Sequence, residues 1–572
     1  MSQSVTEPET TASAPDPVPV RPQSRTGRAW QRVVTWLRSE RLLWSVLIAS
    51  FLLRLFLADR NSYWLDELYS LTIHGRWNES AIELVRVLAE TGVYPPIYFV
   101  TLFEWVSWFG DSELSTRLLS NIYITLAGLF LYLALRLVFV RRIALTSVIA
   151  FNLMYTPMYY GLETRPYAQT MFTVTLSSYL LLRLYRDATK VGWLHALVSP
   201  VGSLFVIVNS AVLLTHLYNV FFWAAQALIA AIFVLCELRT RTWLRGMVVI
   251  LVLYGFQAAI FVGVWGRAVL RGFDQLGGSF SIEGADDLRN PLSVVLNSVV
   301  RLNLEAPGPI EWMGLLLGLV LLVGAVATIS RRAVFQDARL RAWTTFYLIA
   351  WLLLPLVTMY LAFLATGVAR YSNRLFVFSA VPLAPLVVLS IEEVARGISR
   401  LSDKVASIRR ESRHRSLAIV MSAAVIGLLI LPGAFEAMRG PKSDWRGTAQ
   451  EIVSIIESNP EASYIVYETS FRDAPILNYY LARYSDEVRV AGTIRRSEER
   501  REDFGFETDT ELIKKHDYLI VPFIHHATSS FPVALERLQD LYGVHHWEIG
   551  DNRRGIVIFS TSGESEQGEV VP

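Results

Sequence analysis

Charged residues and cysteine are both scarce in this 572-residue sequence. Only 18% of its residues are charged, 53% are hydrophobic and the mean hydropathy is +0.37. Soluble domains average about 25% charged residues, so most of this chain is predicted to lie in lipid. The single cysteine, Cys236, excludes an internal disulfide and a cysteine-rich metal site. The net charge of +2 comes from dispersed basic residues and does not indicate a nucleic-acid partner.

Several sequence signals are also missing. There is no P-loop and no glycine-rich dinucleotide fingerprint, so a nucleotide donor is not expected. There is no internal repeat, which argues mildly against transporter folds built from repeated halves. The first 25 residues are rich in Pro, Ser and Thr and lack the apolar core of a secretory signal. We therefore expect residues 1–40 to form a disordered cytoplasmic tail.

Apolar runs fill the next four hundred residues. A helix needs about 20 mostly apolar residues to cross a bilayer. The predicted spans are 42–58, 117–139, 143–160, 167–185, 196–215, 220–237, 246–266, 312–330, 343–366, 374–391 and 416–435. With the N-terminus inside, all five predicted cytoplasmic loops are basic, as the positive-inside rule requires. Residues 97–109 are short and interrupted by Glu104, so they are predicted to form an interfacial helix within the first outer loop, 59–116.

The composition changes beyond the last predicted span. Residues 464–467 and 518–523 resemble buried strands, while 445–457 and 531–542 resemble amphipathic helices. The predicted fold is therefore an all-α polytopic membrane domain with about 11 transmembrane helices over 41–436. An extracytoplasmic α/β domain over 437–562 and a disordered tail over 563–572 complete the predicted organisation.

Two adjacent carboxylates, Asp66 and Glu67, follow the first predicted span. Ionisable residues at a membrane are costly and are therefore functional candidates. Asp66 lies between bulky apolar neighbours, which predicts a partly buried carboxylate, whereas Glu67 could be a solvated neighbour or a helix N-terminal acid.

Further polar residues are predicted on the same outer face. They are Arg117, Glu163, Arg165, Tyr167, His216, Tyr218, Asn219, Arg370, Tyr371 and Arg374. Acids facing several arginines are typical of a site for an anionic substrate, because guanidinium groups bind phosphate through paired donors. Arginines at helix ends also often reach lipid headgroups, and Arg54, Arg136 and Arg183 are interpreted in that way.

An ordered set of motifs resembles a known family. The set runs through Trp64-Leu65-Asp66-Glu67, Tyr94-Pro95-Pro96-Ile97-Tyr98, Phe109-Gly110-Asp111-Ser112-Glu113, Arg117, Glu163-Thr164-Arg165-Pro166-Tyr167, His216 and Arg370-Tyr371. Over about residues 42–391 the chain resembles the integral-membrane GT-C glycosyltransferases, specifically the bacterial relatives of protein O-mannosyltransferases and of the lipid A aminoarabinose transferase. It departs from that pattern at Tyr94, where the family commonly has His, and at Leu162 and Thr164, where it commonly has Gln and Ala.

The resemblance implies the GT-C fold and an inverting transfer of a sugar from a polyprenyl-phosphate donor. Asp66 is implied as the general base, with Glu67 as a second catalytic residue. The implied donor-phosphate ligands are Arg165, Arg370, Arg117 and His216, and the implied substrate-binding residues are Glu163, Tyr167 and Tyr371. The acceptor could be a cell-envelope glycan, a glycolipid or a protein, at the outer face of the cell inner or plasma membrane.

Three questions stay open at the level of the sequence. A divalent metal could bind Asp66, Glu67 and His216, although no ligand spacing demands one and no Asp-x-Asp motif occurs in the outer loops. A transporter or flippase for a lipid-linked sugar would also place arginines near a phosphate, but it predicts ionisable residues near the bilayer midplane. An assembly or receptor subunit would need far fewer spans.

Overall fold

Helices dominate the chain up to Arg439, and among the described residues the strands all follow it. The computed structural model describes residues 39–71, 79–91, 94–235, 243–269, 299, 302–304, 336–366, 373–403, 410–439, 444–468, 474–493, 511–524, 538, 542–549 and 554–561. The chain divides into two compact units, residues 1–49 and 50–572. The candidate site lies wholly in the second unit.

In the described residues between Arg41 and Leu197 there are nine helices. They are α1 Arg41–Leu57, α2 Leu65–Leu71, α3 Ala81–Thr91, α4 Pro96–Phe109, α5 Glu113–Arg136, α6 Arg141–Leu153, α7 Tyr155–Tyr160, α8 Tyr167–Val191 and α9 Trp193–Leu197.

The next described helices run from Pro200 to Arg439. They are α10 Pro200–Leu213, α11 Asn219–Leu235, α12 Trp243–Phe261 with a π turn over Val262–Gly266, α13 Leu302–Leu304, α14 Gln336–Thr366, a 3-10 segment Asn373–Ser379, α15 Ala380–Asp403, α16 Arg410–Val425 with a π turn over Ile426–Ile430, and α17 Leu431–Arg439. The helix pairs α5–α8, α8–α10, α11–α14 and α6–α15 pack against each other.

Among the described residues, five helical segments are long and apolar enough to cross a membrane. They are Glu113–Arg136, Gly246–Val269, Trp343–Leu361, Arg374–Ile398 and Ser416–Arg439. Two shorter apolar helices are Pro200–Leu213 and Asn219–Ile232. Ten predicted spans overlap helices and the span 312–330 lies outside the described residues, so the count of eleven is not confirmed. Arg374–Ile398 is the most enclosed, with 89% of its apolar window buried against 22% for Gly246–Val269.

The predicted span 143–160 is wrong as a single helix. It breaks into α6 and α7 at Met154, whose backbone is extended with φ −66° and ψ 149°. Pro157 explains the break, because it has no N–H to donate to the carbonyl of Leu153 and its ring would clash there. The short helix α7 therefore turns away and leads directly into the segment that carries Glu163 and Arg165.

Residues 97–109 do form a short helix, α4. Pro96 is its first residue, where a missing N–H costs nothing, and Gly110 ends it with φ +78°. Its 14 residues reach only about 21 Å, too short to cross a hydrocarbon core of about 30 Å.

Arg54 was interpreted as reaching lipid headgroups, and this interpretation is wrong. Its side chain is fully buried between α5 and α6. The guanidinium donates to Asn121 Oδ1 at 2.8 Å, to Asn152 Oδ1 at 3.2 Å and to Thr125 Oγ1 at 3.3 Å. Gly161 leaves room for it, since a Cβ there would lie 2.7 Å from Arg54 Cδ.

The segment after Asp444 forms a five-stranded sheet with flanking helices. The strands are β1 Tyr464–Glu468, β2 Val490–Thr493, β3 Tyr518–Ile524, β4 Gly543–Ile549 and β5 Arg554–Ser560, in the order β2-β1-β3-β5-β4. Strand β1 is parallel to β2 and β3, whereas β5 is antiparallel to β3 and β4. Helix α18, Trp445–Ser458, precedes β1, and helix α19, Ala474–Tyr484, connects β1 to β2. The predicted helix 531–542 lies largely outside the described residues.

Candidate active site

Asp66 lies in the first turn of α2 and faces two arginines from distant segments. Its Oδ2 accepts a hydrogen bond from Arg374 Nη1 at 2.7 Å and lies 3.6 Å from Arg165 Nη2. The Asp66 side chain is 24% exposed and that of Arg374 is 36% exposed. This carboxylate is therefore paired with positive charge and is still accessible to a ligand.

Arg165 is the buried member of this group. Its Nη1 donates to the backbone oxygen of Asp66 and to Ser70 Oγ, both at 3.0 Å. Its buried Nε has no hydrogen-bond partner among the described residues. Burial alone would lower the pKa of Arg165, but Tyr167 and Asp66 outweigh that effect and raise it above its ordinary value. Arg165 is thus a permanent cation with one buried donor left over.

Glu67 is enclosed and fully engaged, unlike its neighbour Asp66. It is 0% exposed and accepts from Arg117 Nε at 3.0 Å, Arg117 Nη2 at 2.8 Å and the Thr164 amide at 2.8 Å. It also accepts from the Trp64 amide at 3.3 Å, as an acid in the third position of a helix often does. This geometry argues against Glu67 as a group that touches substrate and favours a role in holding the turn.

Arg117 was predicted to bind the donor phosphate, and its surroundings argue against that role. Besides Glu67, it donates to the carbonyls of Ala58 at 2.7 Å, Asn61 at 2.6 Å and Ser62 at 3.0 Å. A guanidinium has five N–H donors, and here every one has an acceptor. The side chain is buried, so no donor is left for a phosphate.

Three further predicted residues, Glu163, Tyr167 and His216, lie in the same region. Glu163 is fully buried near Tyr159 and Tyr160. The rings of Tyr160 and Tyr167 lie 4.6 Å apart, and those of Tyr167 and His216 lie 5.7 Å apart. Arg165 lies over Tyr167, with its guanidinium carbon 5.8 Å from the ring centre. The structure therefore brings these three predicted residues next to Arg165.

His216 is a neutral imidazole at pH 7. Burial, followed by the positive charges of Arg165 and Arg374, lowers its pKa from 6.5 to about 3. Its buried Nδ1 has no hydrogen-bond partner among the described residues. His216 can thus take part in a neutral hydrogen bond with a ligand but does not add positive charge.

Arg370 and Tyr371, two of the predicted site residues, lie outside the described residues. Among the cations that the structure describes, Arg374, four positions later, lies nearest to Asp66, at 2.7 Å. Its guanidinium lies 6.0 Å from the ring centre of Trp64, so Trp64 also borders the site. The sequence signal for Arg374 was its position at the start of a predicted span, on the outer face.

No group of three or more His, Cys, Asp and Glu side chains in the described parts of the chain could hold a metal ion. Of the three ligands considered from the sequence, Glu67 is occupied by Arg117 and Asp66 by Arg374. These residues do not fit a metal site as they stand.

No protein-family model and no curated protein matches this sequence. Solved structures similar to it include ArnT from Cupriavidus metallidurans bound to undecaprenyl phosphate, at 13% identity over 93% of this chain and 100% of that chain, with TM-score 0.49. The oligosaccharyltransferase from Archaeoglobus fulgidus, tethered to an acceptor peptide, is similar at 13% identity over 91% and 74%, with TM-score 0.48. Both are GT-C glycosyltransferases.

Proposed function

We propose that this protein is a GT-C glycosyltransferase that moves a sugar from a polyprenyl-phosphate donor to a hydroxyl acceptor, with inversion. The observation that carries the proposal is the pairing of one accessible carboxylate, Asp66, with two arginines from separate segments. Buried polar atoms are rarely left without a partner, so Arg165 Nε and His216 Nδ1 mark positions for ligand atoms. Both belong to residues predicted from the sequence to contact the donor phosphate.

In the proposed reaction, the acceptor oxygen attacks the anomeric carbon of the donor as its proton passes to the Asp66 carboxylate. The bond from that carbon to the phosphate oxygen breaks, and its electron pair leaves with the polyprenyl phosphate. One displacement inverts the configuration. The phosphate gains negative charge as the bond breaks, so guanidinium groups stabilise the transition state more than the bound donor.

Arg374 has two parts in this proposal. Without donor it holds Asp66, and with donor its partly exposed guanidinium turns to the phosphate. The carboxylate is then released to accept a proton from the acceptor. Arg165 stays in place because the backbone oxygen of Asp66 and Ser70 fix it. Arg370, outside the described residues, stays a predicted third phosphate ligand, with Glu163, Tyr167 and Tyr371 as predicted contacts to the substrate.

We place the site at the outer face of a cell membrane, with the sheet domain on the same side. The basic loops support this orientation. The sheet domain also contacts the loop after α1, since the Tyr63 amide donates to Tyr480 Oη at 2.6 Å. Such a contact needs an even number of crossings between these two segments, and the predicted topology contains ten.

Transfer from synthetic polyprenyl-phosphate sugars tests the proposal in proteoliposomes. Arg165→Ala and Arg374→Ala are compared with Arg183→Ala, which removes an exposed guanidinium whose described contact is Tyr179. We expect the wild type to transfer one of a hexose, pentose or aminoarabinose series. The two site variants should lose about 10²- to 10³-fold in turnover, as expected when a donor to the developing charge is removed. Movement of the lipid-linked sugar across the bilayer without transfer would instead support the flippase function.

A further inference from the structure

The sheet domain contacts the start of helix α5 through one buried carboxylate. Glu113, at the start of α5, is 2% exposed. Its carboxylate oxygens lie 2.6 Å from the donor Tyr480 Oη, 2.9 Å from Arg446 Nη2 and 3.3 Å from Arg483 Nη1. All three donors belong to helices α18 and α19 of the sheet domain. Removing water from such a charge is costly unless it is fully paired, so this contact fixes the two parts together.

Three consecutive residues before the site are held from both sides. Arg117 donates hydrogen bonds to the carbonyl oxygens of Asn61 and Ser62. From the opposite side, the Arg446 amide donates to Ser62 Oγ at 2.9 Å and the Tyr63 amide donates to Tyr480 Oη at 2.6 Å. Residues 61–63 are therefore hydrogen-bonded both to helix α5 and to the sheet domain.

Tyr63 connects residues 61–63 to the segment that carries Arg165. Its ring is fully buried, and its hydroxyl is 2.6 Å from Thr116 Oγ1. Thr116 in turn is 2.7 Å from Thr164 Oγ1, next to Arg165. Asp66 follows Tyr63 by three residues, at the start of the short helix α2. A shift of Tyr63 is thus passed both to Asp66 along the chain and to the Arg165 segment across hydrogen bonds.

We infer that the sheet domain acts as a positioning element for Asp66, through the hydrogen bonds that Tyr480 makes to the Tyr63 amide and to Glu113. This inference rests on the proposed transfer reaction. A base must lie within hydrogen-bond reach of the proton it takes, and small displacements of a reacting group slow a reaction strongly. Seven residues of helix give α2 little stability of its own, so its orientation depends on the fixed segment before it.

Adjacent tyrosines on α19 provide a matched pair. Tyr479 also reaches across the same contact, donating to the backbone oxygen of Asp111 at 3.2 Å. It does not bond to the Tyr63 amide. Tyr480→Phe removes both the acceptor for Tyr63 and the donor to Glu113. Tyr479→Phe leaves these two hydrogen bonds in place and removes a phenol that bonds to Asp111 and Arg483. Both changes keep the aromatic ring and so preserve most of the packing.

The experiment measures turnover, KM for the donor and amide exchange over 60–71 in the full-length protein. For Tyr480→Phe we expect kcat to fall about 2- to 10-fold, the range that corresponds to one net hydrogen bond, with the KM for the donor unchanged. We also expect faster exchange of the Tyr63 amide. Tyr479→Phe should match the wild type in kcat and in exchange at Tyr63.

Two results overturn the inference while leaving the transfer function intact. One is equal kcat for wild type and Tyr480→Phe, and the other is an equal fall for both tyrosine variants. Absence of transfer by the wild type refutes the proposed function instead. In that case the exchange measurement still tests the contact between Tyr480 and Tyr63. Unchanged protection of the Tyr63 amide in Tyr480→Phe would refute the role of that contact independently.

Discussion

Replacement of Glu67 by glutamine should destabilise the protein far more than its chemical similarity suggests. Glu67 has no exposed surface and balances the charge of the equally buried Arg117. Glutamine keeps the volume but leaves the guanidinium without a counter-charge. It also turns an NH₂ group toward donors such as the Thr164 amide, which donates to Glu67 Oε1 at 2.8 Å. Breaking a buried ion pair by removing one partner costs about 3–5 kcal/mol, and we expect a loss in that range.

The assay is the free energy of unfolding in detergent micelles by chemical denaturation, with Asp59→Asn as the control. Asp59 also pairs with an arginine, Arg446, at 3.2 Å, but its side chain is 60% exposed. Exposed pairs contribute about 0–1 kcal/mol, so the control should unfold close to the wild type. If Glu67→Gln also unfolds within about 1 kcal/mol of the wild type, the buried pair does not hold the turn. Glu67 would then return as a candidate for direct catalysis.

Two further changes test the walls of the site. Gly161→Ala would place a Cβ 2.7 Å from Arg54 Cδ and 2.8 Å from the Pro157 carbonyl, so we expect a loss of about 1–3 kcal/mol in unfolding free energy. Gly255→Ala, with nothing within 4 Å, should be neutral or stabilising, and equal effects of the two would contradict the crowding. The pKa of His216 is about 3 in the folded protein and 6.5 without its neighbours. Its contribution to stability is therefore complete above pH 6.5 and is lost as the pH falls toward 3. Between pH 7 and pH 5 the wild type should lose about 2 kcal/mol more than His216→Asn, and equal losses would contradict a neutral buried imidazole.

The path of the chain follows from its apolar pattern to a large extent. Long apolar runs and basic loops placed Asp66, Arg165, His216 and Arg374 on one face, and the structure brings all four to one region. The short helix at 96–109 was also predictable, since proline and glycine delimit it. These features depend on local composition and on the sidedness of loops, which sequence records directly.

What the sequence does not record is how many donors a side chain has already used. Arg117 and Arg165 are the same residue type in similar sequence positions, yet every N–H donor of Arg117 is used by Glu67 and three carbonyls. Arg54 was predicted to face lipid, but it donates hydrogen bonds to two asparagines from other helices. Such assignments need tertiary neighbours, which come from segments about 50 to 100 residues away.

One helix break and three of the five described strands were harder to predict, for a different reason. Pro157 divides a run that is otherwise apolar enough to be read as one span. Strands β2, β4 and β5 were not predicted, although β5 carries the apolar run Ile556-Val557-Ile558-Phe559. A run of that length is ambiguous until its partner strand is known, and β5 is paired on both sides by β3 and β4.

The most direct test of the proposed chemistry is the single-turnover rate of Asp66→Asn with saturating donor. Asparagine keeps the shape and can still accept a hydrogen bond from Arg374, but it cannot take a proton. We predict a rate about 10²- to 10⁴-fold below that of the wild type, with donor affinity and unfolding free energy nearly unchanged. A rate close to that of the wild type, at full donor occupancy, would contradict Asp66 as the base.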